Sequence, residues 1–327
     1  MRAAGPNSDS AGRIDAVVPV YNKIKFLDEA VGSVVDAVDA HGATRLWLVD
    51  NGSTDGSYEL LAEKFATRAN LLRLPSGTIS AVRNFGAKQG HAPIIGFIDC
   101  DCLLAADYFT QIDTVFAETG AEATGCKVVL PLNPTWVESV WNRMHDDGSE
   151  GAREWINSAN FAVRRSVFEQ IGGFDEGLET GEDAEICQRI RQAGGRLIED
   201  RRLAVAHLDN AKTLPVFFRK ERWRGLGMLG TVSAHSLDKP TAMTVIHLYA
   251  LTAAIGVMIF APISMWSRVG IGLLLAFFAP GVTVMYRRRS SVARFPIWRG
   301  VVLYQLYYLA RINALAIIGG RALRPKR

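Results

Sequence analysis

The chain has 327 residues, 49% of them hydrophobic, with a mean hydropathy of +0.10 and a formal net charge of +4. Residues 287–327 carry ten Arg or Lys and no Asp or Glu, and residues 243–286 carry a single charge, Arg268, which leaves −7 for residues 1–242. This division excludes a uniformly basic nucleic-acid binder, and the apolar content excludes a disordered chain.

Met1 to Arg13 is polar, lacks the apolar segment of a signal peptide, and reads as a disordered leader. Ile14–Val20 then reads as a buried strand, Phe26–Ala40 as a helix by its apolar period, and Arg45–Val49 as a second strand stopped at Asp50 by Asn51-Gly52-Ser53-Thr54-Asp55-Gly56. Ser57–Thr67 (helix), Asn70–Leu74 (strand), Thr78–Gln89 (helix) and Pro93–Ile98 (strand) follow. Such alternation predicts an α/β fold, an open, mostly parallel sheet with flanking helices. Ligands of such sheets bind beyond the carboxyl ends of the strands. Tyr21 and Asn22, Asp50 and Asn51, and Asp99 and Asp101 stand at three of those ends. Neither a GxGxxG turn after the first strand nor a Walker A loop is present, so a dehydrogenase or P-loop enzyme lacks its phosphate cradle.

Asp99-Cys100-Asp101 ends the fourth strand, and two carboxylates so placed can hold Mn²⁺ or Mg²⁺ against a diphosphate; alone, the tripeptide is equally a solvated turn. Thr180-Gly181-Glu182-Asp183 opens a helix running to about Ala193. Asp183 there can serve as a general base or, with Thr180, as half of a capping box. His207 ends a late strand read over Leu203–Ala206. Cys100, Cys102, Cys126 and Cys187 form no CxxC and no zinc spacing, which predicts free thiols in a reducing compartment.

Met243–Trp266 and Val269–Tyr286 are uncharged runs separated only by Ser267 and Arg268. They read as a membrane hairpin. Arg287, Arg288 and Arg289 put its ends, and with them the N-terminal domain, on the cytoplasmic side. Ile297–Gly320, interrupted by Arg299, Gln305, Arg311 and Asn313, reads as an interfacial or re-entrant helix, with a third span as the alternative. The domains expected are a leader (1–13), an α/β domain (14–230), a linker (231–242), a transmembrane hairpin (243–286) and a basic tail (287–327).

Six segments together carry a resemblance: Val18-Pro19-Val20-Tyr21-Asn22, Val49-Asp50-Asn51-Gly52-Ser53-Thr54-Asp55-Gly56, Ala81-Val82-Arg83-Asn84-Phe85-Gly86, Asp99-Cys100-Asp101, Gly172-Gly173-Phe174-Asp175-Glu176 and Gly181-Glu182-Asp183. In order and spacing they resemble the family 2 glycosyltransferases, inverting enzymes of GT-A fold, over about residues 14–225. The resemblance implies donor contacts at Pro19, Tyr21, Asn22, Asp50, Asn51, Arg83 and Asp99, and a divalent cation, Mn²⁺ or Mg²⁺, at Asp99 and Asp101 with His207 completing its shell. It implies a catalytic base at Asp183 supported by Glu182. Many members have a second Asp where this chain has Asn51, and a third acid where it has Cys102. Arg219-Lys220-Glu221-Arg222-Trp223 resembles the QxxRW motif of processive members with Arg in place of Gln. Arg222 and Trp223 then border the acceptor or diphosphate, or lie on a helix at the lipid surface.

The implied reaction moves a sugar from a nucleoside-diphosphate sugar to a glycan or lipid-linked acceptor at the cytoplasmic membrane face, with membrane lipid as a further partner and no nucleic acid. The alternatives are a membrane-anchored nucleotide-sugar-binding scaffold or transport subunit without turnover, and a two-carboxylate glycoside hydrolase, which needs neither nucleotide nor metal.

Overall fold

The computed structural model describes residues 12–226 and 239–322. The leader up to residue 11, most of the linker and residues 323–327 of the basic tail lie outside the described residues. The chain divides into two compact units, the first built from residues up to 131 and from 150–209, the second from 132–149 and from 210 onward.

The first unit begins with β1 (Ile14–Val20), α1 (Ile24–His41), β2 (Thr44–Asp50), α2 (Ser57–Lys64), β3 (Asn70–Arg73), α3 (Ile79–Ala87) and β4 (Ile94–Ile98). β1 is buried along its whole length, as expected of a central strand covered on both faces. β5 (Cys102–Leu103), α4 (Tyr108–Thr119) and β6 (Ala123–Gly125) follow, then α5 (Trp136–His145), which belongs to the second unit. The first unit resumes with β7 (Gly151–Arg153), β8 (Asn160–Arg164), α6 (Arg165–Gln170), α7 (Glu182–Gln192), β9 (Leu197–Glu199) and β10 (Ala206–His207).

Eight strands form one sheet in the order β3-β2-β1-β4-β8-β6-β9-β7. β1 to β4 run parallel, whereas β8 is antiparallel to both β4 and β6. β5 and β10 make a separate antiparallel ladder in which Cys102 faces His207. The expected late strand over Leu203–Ala206 is therefore replaced by a 3-10 turn at Arg201–Leu203 and the two-residue β10.

Close packing fixes α3 on the sheet. A Cβ on Gly86 would stand 2.5 Å from Val17 Cγ1 and 3.0 Å from Val49 Cγ2, both in the buried core. Gly86→Ala is expected to destabilise the protein by about 1–3 kcal/mol through overpacking. A thermal melt checks this, and an unchanged midpoint contradicts the packing.

The second unit joins α5 to α8 (Leu214–Gly225), α9 (Lys239–Phe260), α10 (Met265–Ser290) and α11 (Ile297–Ala322). Val137, Val140 and Met144 of α5, Phe217 of α8, Ala279 and Val284 of α10, and Leu303, Tyr304, Tyr307 and Tyr308 of α11 share one core. Among the described residues, three helices are long and apolar enough to cross a membrane: Lys239–Phe260, Met265–Ser290 and Ile297–Gly320. The turn between the first two lies at residues 261–264, not at Ser267-Arg268. Pro262 cannot extend α9, and the Ser264 hydroxyl accepts the Ser267 N–H at 3.2 Å, capping α10. The interfacial or re-entrant segment expected over Ile297–Gly320 is one unbroken helix.

Candidate functional site

At the ends of β1 and β2 the turn residues hold one another. Asp50 is fully buried, and its carboxylate accepts the N–H of Gly52 at 3.1 Å and of Ser53 at 3.2 Å, with the Arg73 guanidinium at 3.3 Å. Asn22, at φ 51°, accepts the Thr54 N–H at 2.8 Å. Both side chains therefore shape the loop. Asn51 differs, because its Nδ2 donates to the Gly77 carbonyl at 3.0 Å while its buried Oδ1 has no partner among the described residues. Pro19 is buried in β1 opposite Val49, and Tyr21 is exposed.

The β5–β10 ladder assembles a candidate cation site. It places His207 Nε2 3.3 Å from Asp101 Oδ1, and Asp101 is nearly closed off from solvent. Potential ligand atoms of Asp101, Cys102 and His207 lie within 4.8 Å of one another. The Asp101 carboxylate suits Mn²⁺ or Mg²⁺, which keep further positions for phosphate oxygens; the His207 imidazole fits Mn²⁺ better than Mg²⁺, and the buried Cys102, held as a neutral thiol by its burial, is a poor ligand for either. Asp99 stands outside this cluster. Its N–H donates to the Ala159 carbonyl, and its Oδ1 accepts from Arg83 at 2.8 Å.

Arg83 is not a surface residue. Its side chain is 2% exposed, and its guanidinium bridges Asp99 through Nη2 and Glu182 through Nη1, both at 2.8 Å. Glu182 also accepts the Ser158 hydroxyl at 3.3 Å. One buried cation thus ties the end of β4 to the start of α7. The next residue, Asp183, accepts the Ala184 N–H at 2.8 Å, and the Trp155 indole lies near enough to favour its ionised form. Burial, and then the neighbouring Glu182 charge, push the Asp183 carboxyl up to about 6. The capping-box alternative for Asp183 does not form: the N-cap is Gly181, at φ 86°, and among the described residues no side chain caps it.

Residues 15–174 match the glycosyl transferase family 2 domain. The chain carries a glycosyltransferase family 2 domain. This glycosyltransferase is 27% identical over 190 residues to glycosyltransferase AglE of Haloferax volcanii, an alignment covering 55% of this chain and 62% of AglE. It is 24% identical over 278 residues to the succinoglycan biosynthesis protein ExoA of Rhizobium meliloti, covering 78% of this chain and 83% of ExoA. Its structure resembles that of the mannosyltransferase PcManGT from Pyrobaculum calidifontis, solved with GDP-Man and Mn²⁺. The TM-score is 0.60 at 14% identity, over 97% of this chain and 89% of that one. At that identity the likeness shows the fold alone, the GT-A architecture expected from the sequence.

The glycosyltransferase also holds site residues that its motifs do not reveal. Lys23 Nζ lies 2.6 Å from both Asp101 Oδ2 and Asp209 Oδ2. Trp155, partly exposed, stands near Asp183 from the loop between β7 and β8. The one available signal was position, since Lys23 directly follows the Tyr21-Asn22 loop. Arg222 and Trp223 lie exposed on α8 in the second unit. The residue of that segment turned inward is Glu221, paired with Arg224 at 2.5 Å and with Arg311 of α11 at 3.2 Å.

Proposed function

We propose that this glycosyltransferase moves a sugar from a nucleoside-diphosphate sugar to an acceptor hydroxyl in a single displacement that inverts the anomeric carbon. The observation that carries this reading is the buried Arg83 bridge, which holds the Asp99–Asp101 segment and the Glu182–Asp183 segment in one frame. Asp183 takes the proton of the acceptor hydroxyl as its oxygen bonds to the anomeric carbon and the bond to the diphosphate breaks. Asp101 and His207 would hold a divalent cation, which would supply positive charge where the leaving diphosphate becomes more negative. Glu182, held by Arg83 and Ser158, fixes the start of α7 so that Asp183 meets the acceptor.

Three apolar helices and the similarity to a succinoglycan biosynthesis protein support a cell-envelope or lipid-linked glycan as the acceptor. The arginines in the last turn of α10, Arg287, Arg288 and Arg289, support a catalytic unit facing the cytoplasm.

A panel of UDP- and GDP-sugars incubated with the full chain and Mn²⁺ tests the donor class. Slow release of UDP or GDP from one sugar is expected, and release from none contradicts the reading. The pH profile follows from the raised Asp183 carboxyl: the base works ionised, so kcat holds above about pH 6 and falls tenfold per unit well below it. A kcat that is flat down to pH 4.5 contradicts this role.

A further inference from the structure

Lys23 stands at the start of α1, where its backbone N–H donates to Ser57 Oγ at 3.0 Å. From there its ammonium reaches the very carboxylate that the candidate cation site uses. Asp101 is shared by two claimants: Oδ1 faces His207 at 3.3 Å, and Oδ2 faces Lys23 Nζ at 2.6 Å. Asp209, two residues beyond His207, anchors the same ammonium at 2.6 Å. Leu208, between them, donates its N–H to the Asp101 carbonyl at 2.8 Å, which fixes the segment after β10 beside Asp101.

We propose that Lys23 is a built-in counter-cation that makes cation binding and diphosphate binding depend on each other. The proposal rests on the reading of Asp101 and His207 as cation ligands. A bare divalent ion approaching Asp101 meets an ammonium already drawn to that carboxylate, and the two positive charges repel. Lys23 therefore lowers the affinity for the ion alone. A nucleoside diphosphate reverses the balance, because its phosphate oxygens offer negative charge to the ion and the ammonium together. Lys23 then turns from competitor to phosphate partner, and the ion and the nucleotide each bind better in the other's presence. By linkage the enhancement is the same in both directions. The long lysine stem suits this exchange, since an ammonium on four carbons can shift between Asp209, Asp101 and a phosphate while α1 stays in place.

The test measures Mn²⁺ binding to the full-length protein by the electron paramagnetic resonance signal of the free ion, first alone and then with UDP or GDP. Lys23→Met is expected to bind Mn²⁺ alone about tenfold more tightly than the parent and to bind the nucleotide with Mn²⁺ about tenfold more weakly. Lys23→Arg, which keeps the charge, should stay close to the parent in the first measurement. Unchanged or weaker Mn²⁺ binding by Lys23→Met overturns the proposal, as does binding of Mn²⁺ by neither protein. Circular dichroism checks that the variant folds, and Lys23→Gln, which keeps a polar head for Asp209, replaces it if it does not. The first measurement uses no sugar and no turnover, so a failure of glycosyl transfer would show itself separately in the donor panel.

Discussion

Asp183→Asn is expected to lower turnover by about 10²–10⁴-fold while changing donor affinity little. Asn is nearly isosteric, and its side-chain oxygen can still accept the Ala184 N–H that holds Asp183. It has no proton-accepting carboxylate. The loss should therefore appear in kcat, with the nucleotide dissociation constant within about threefold of the parent. The position also explains why this acid and not Glu182 should be the base. Glu182 is committed to Arg83 and Ser158, whereas the Asp183 carboxyl is raised to about 6, where it is ionised at neutral pH yet basic enough to take a proton. A variant with more than a tenth of parental kcat would place the base elsewhere.

Arg83→Met is expected to cost about 3 kcal/mol of stability. Methionine fills much of the arginine's volume, so packing against Phe174 largely survives. Two carboxylates then lose their shared cation. Glu182 is close to fully buried and Asp99 is 31% exposed at the side chain, which places the cost at the lower end of the range for broken buried pairs. For a unit of this size the melting point should fall by about 6–12 °C. The same substitution removes a positive charge that favours ionised Asp183, so the acid limb of the pH profile should move to higher pH. A melting point within about 2 °C of the parent, or a limb that moves down, contradicts the bridge.

The sheet was legible because apolar runs and turn residues alternate cleanly from Ile14 to Ile98, and each strand end displays polar residues. The antiparallel β8 and the β5–β10 ladder were not, because two- to five-residue strands leave no period to read. His207 was visible as a late histidine, but the pairing that sets it opposite Cys102 is tertiary. Arg83 was visible as a motif residue, yet its two partners lie 16 and 99 residues away, and only the fold shows that it is buried between carboxylates. Lys23 carried no signal beyond its place after the Tyr21-Asn22 loop, since its partner Asp209 is 186 residues distant. In the second unit, Arg299, Gln305, Arg311 and Asn313 are why Ile297–Gly320 reads as an interfacial or re-entrant helix, with a third span as the alternative. The structure pairs Arg311 with Glu221 of α8, a partner 90 residues away that no sequence pattern announces. The hairpin turn was misplaced because the uncharged run was read through Pro262, which ends the helix.

Calorimetric titration of UDP and of GDP into the full chain, with Mn²⁺ and with EDTA, bears on the site as a whole. One of the two nucleotides should bind at least tenfold more tightly with Mn²⁺ than with EDTA, and Asp101→Ala should erase the difference. Equal affinity in Mn²⁺ and EDTA, or a metal dependence that survives in Asp101→Ala, would contradict a cation held at the end of β4.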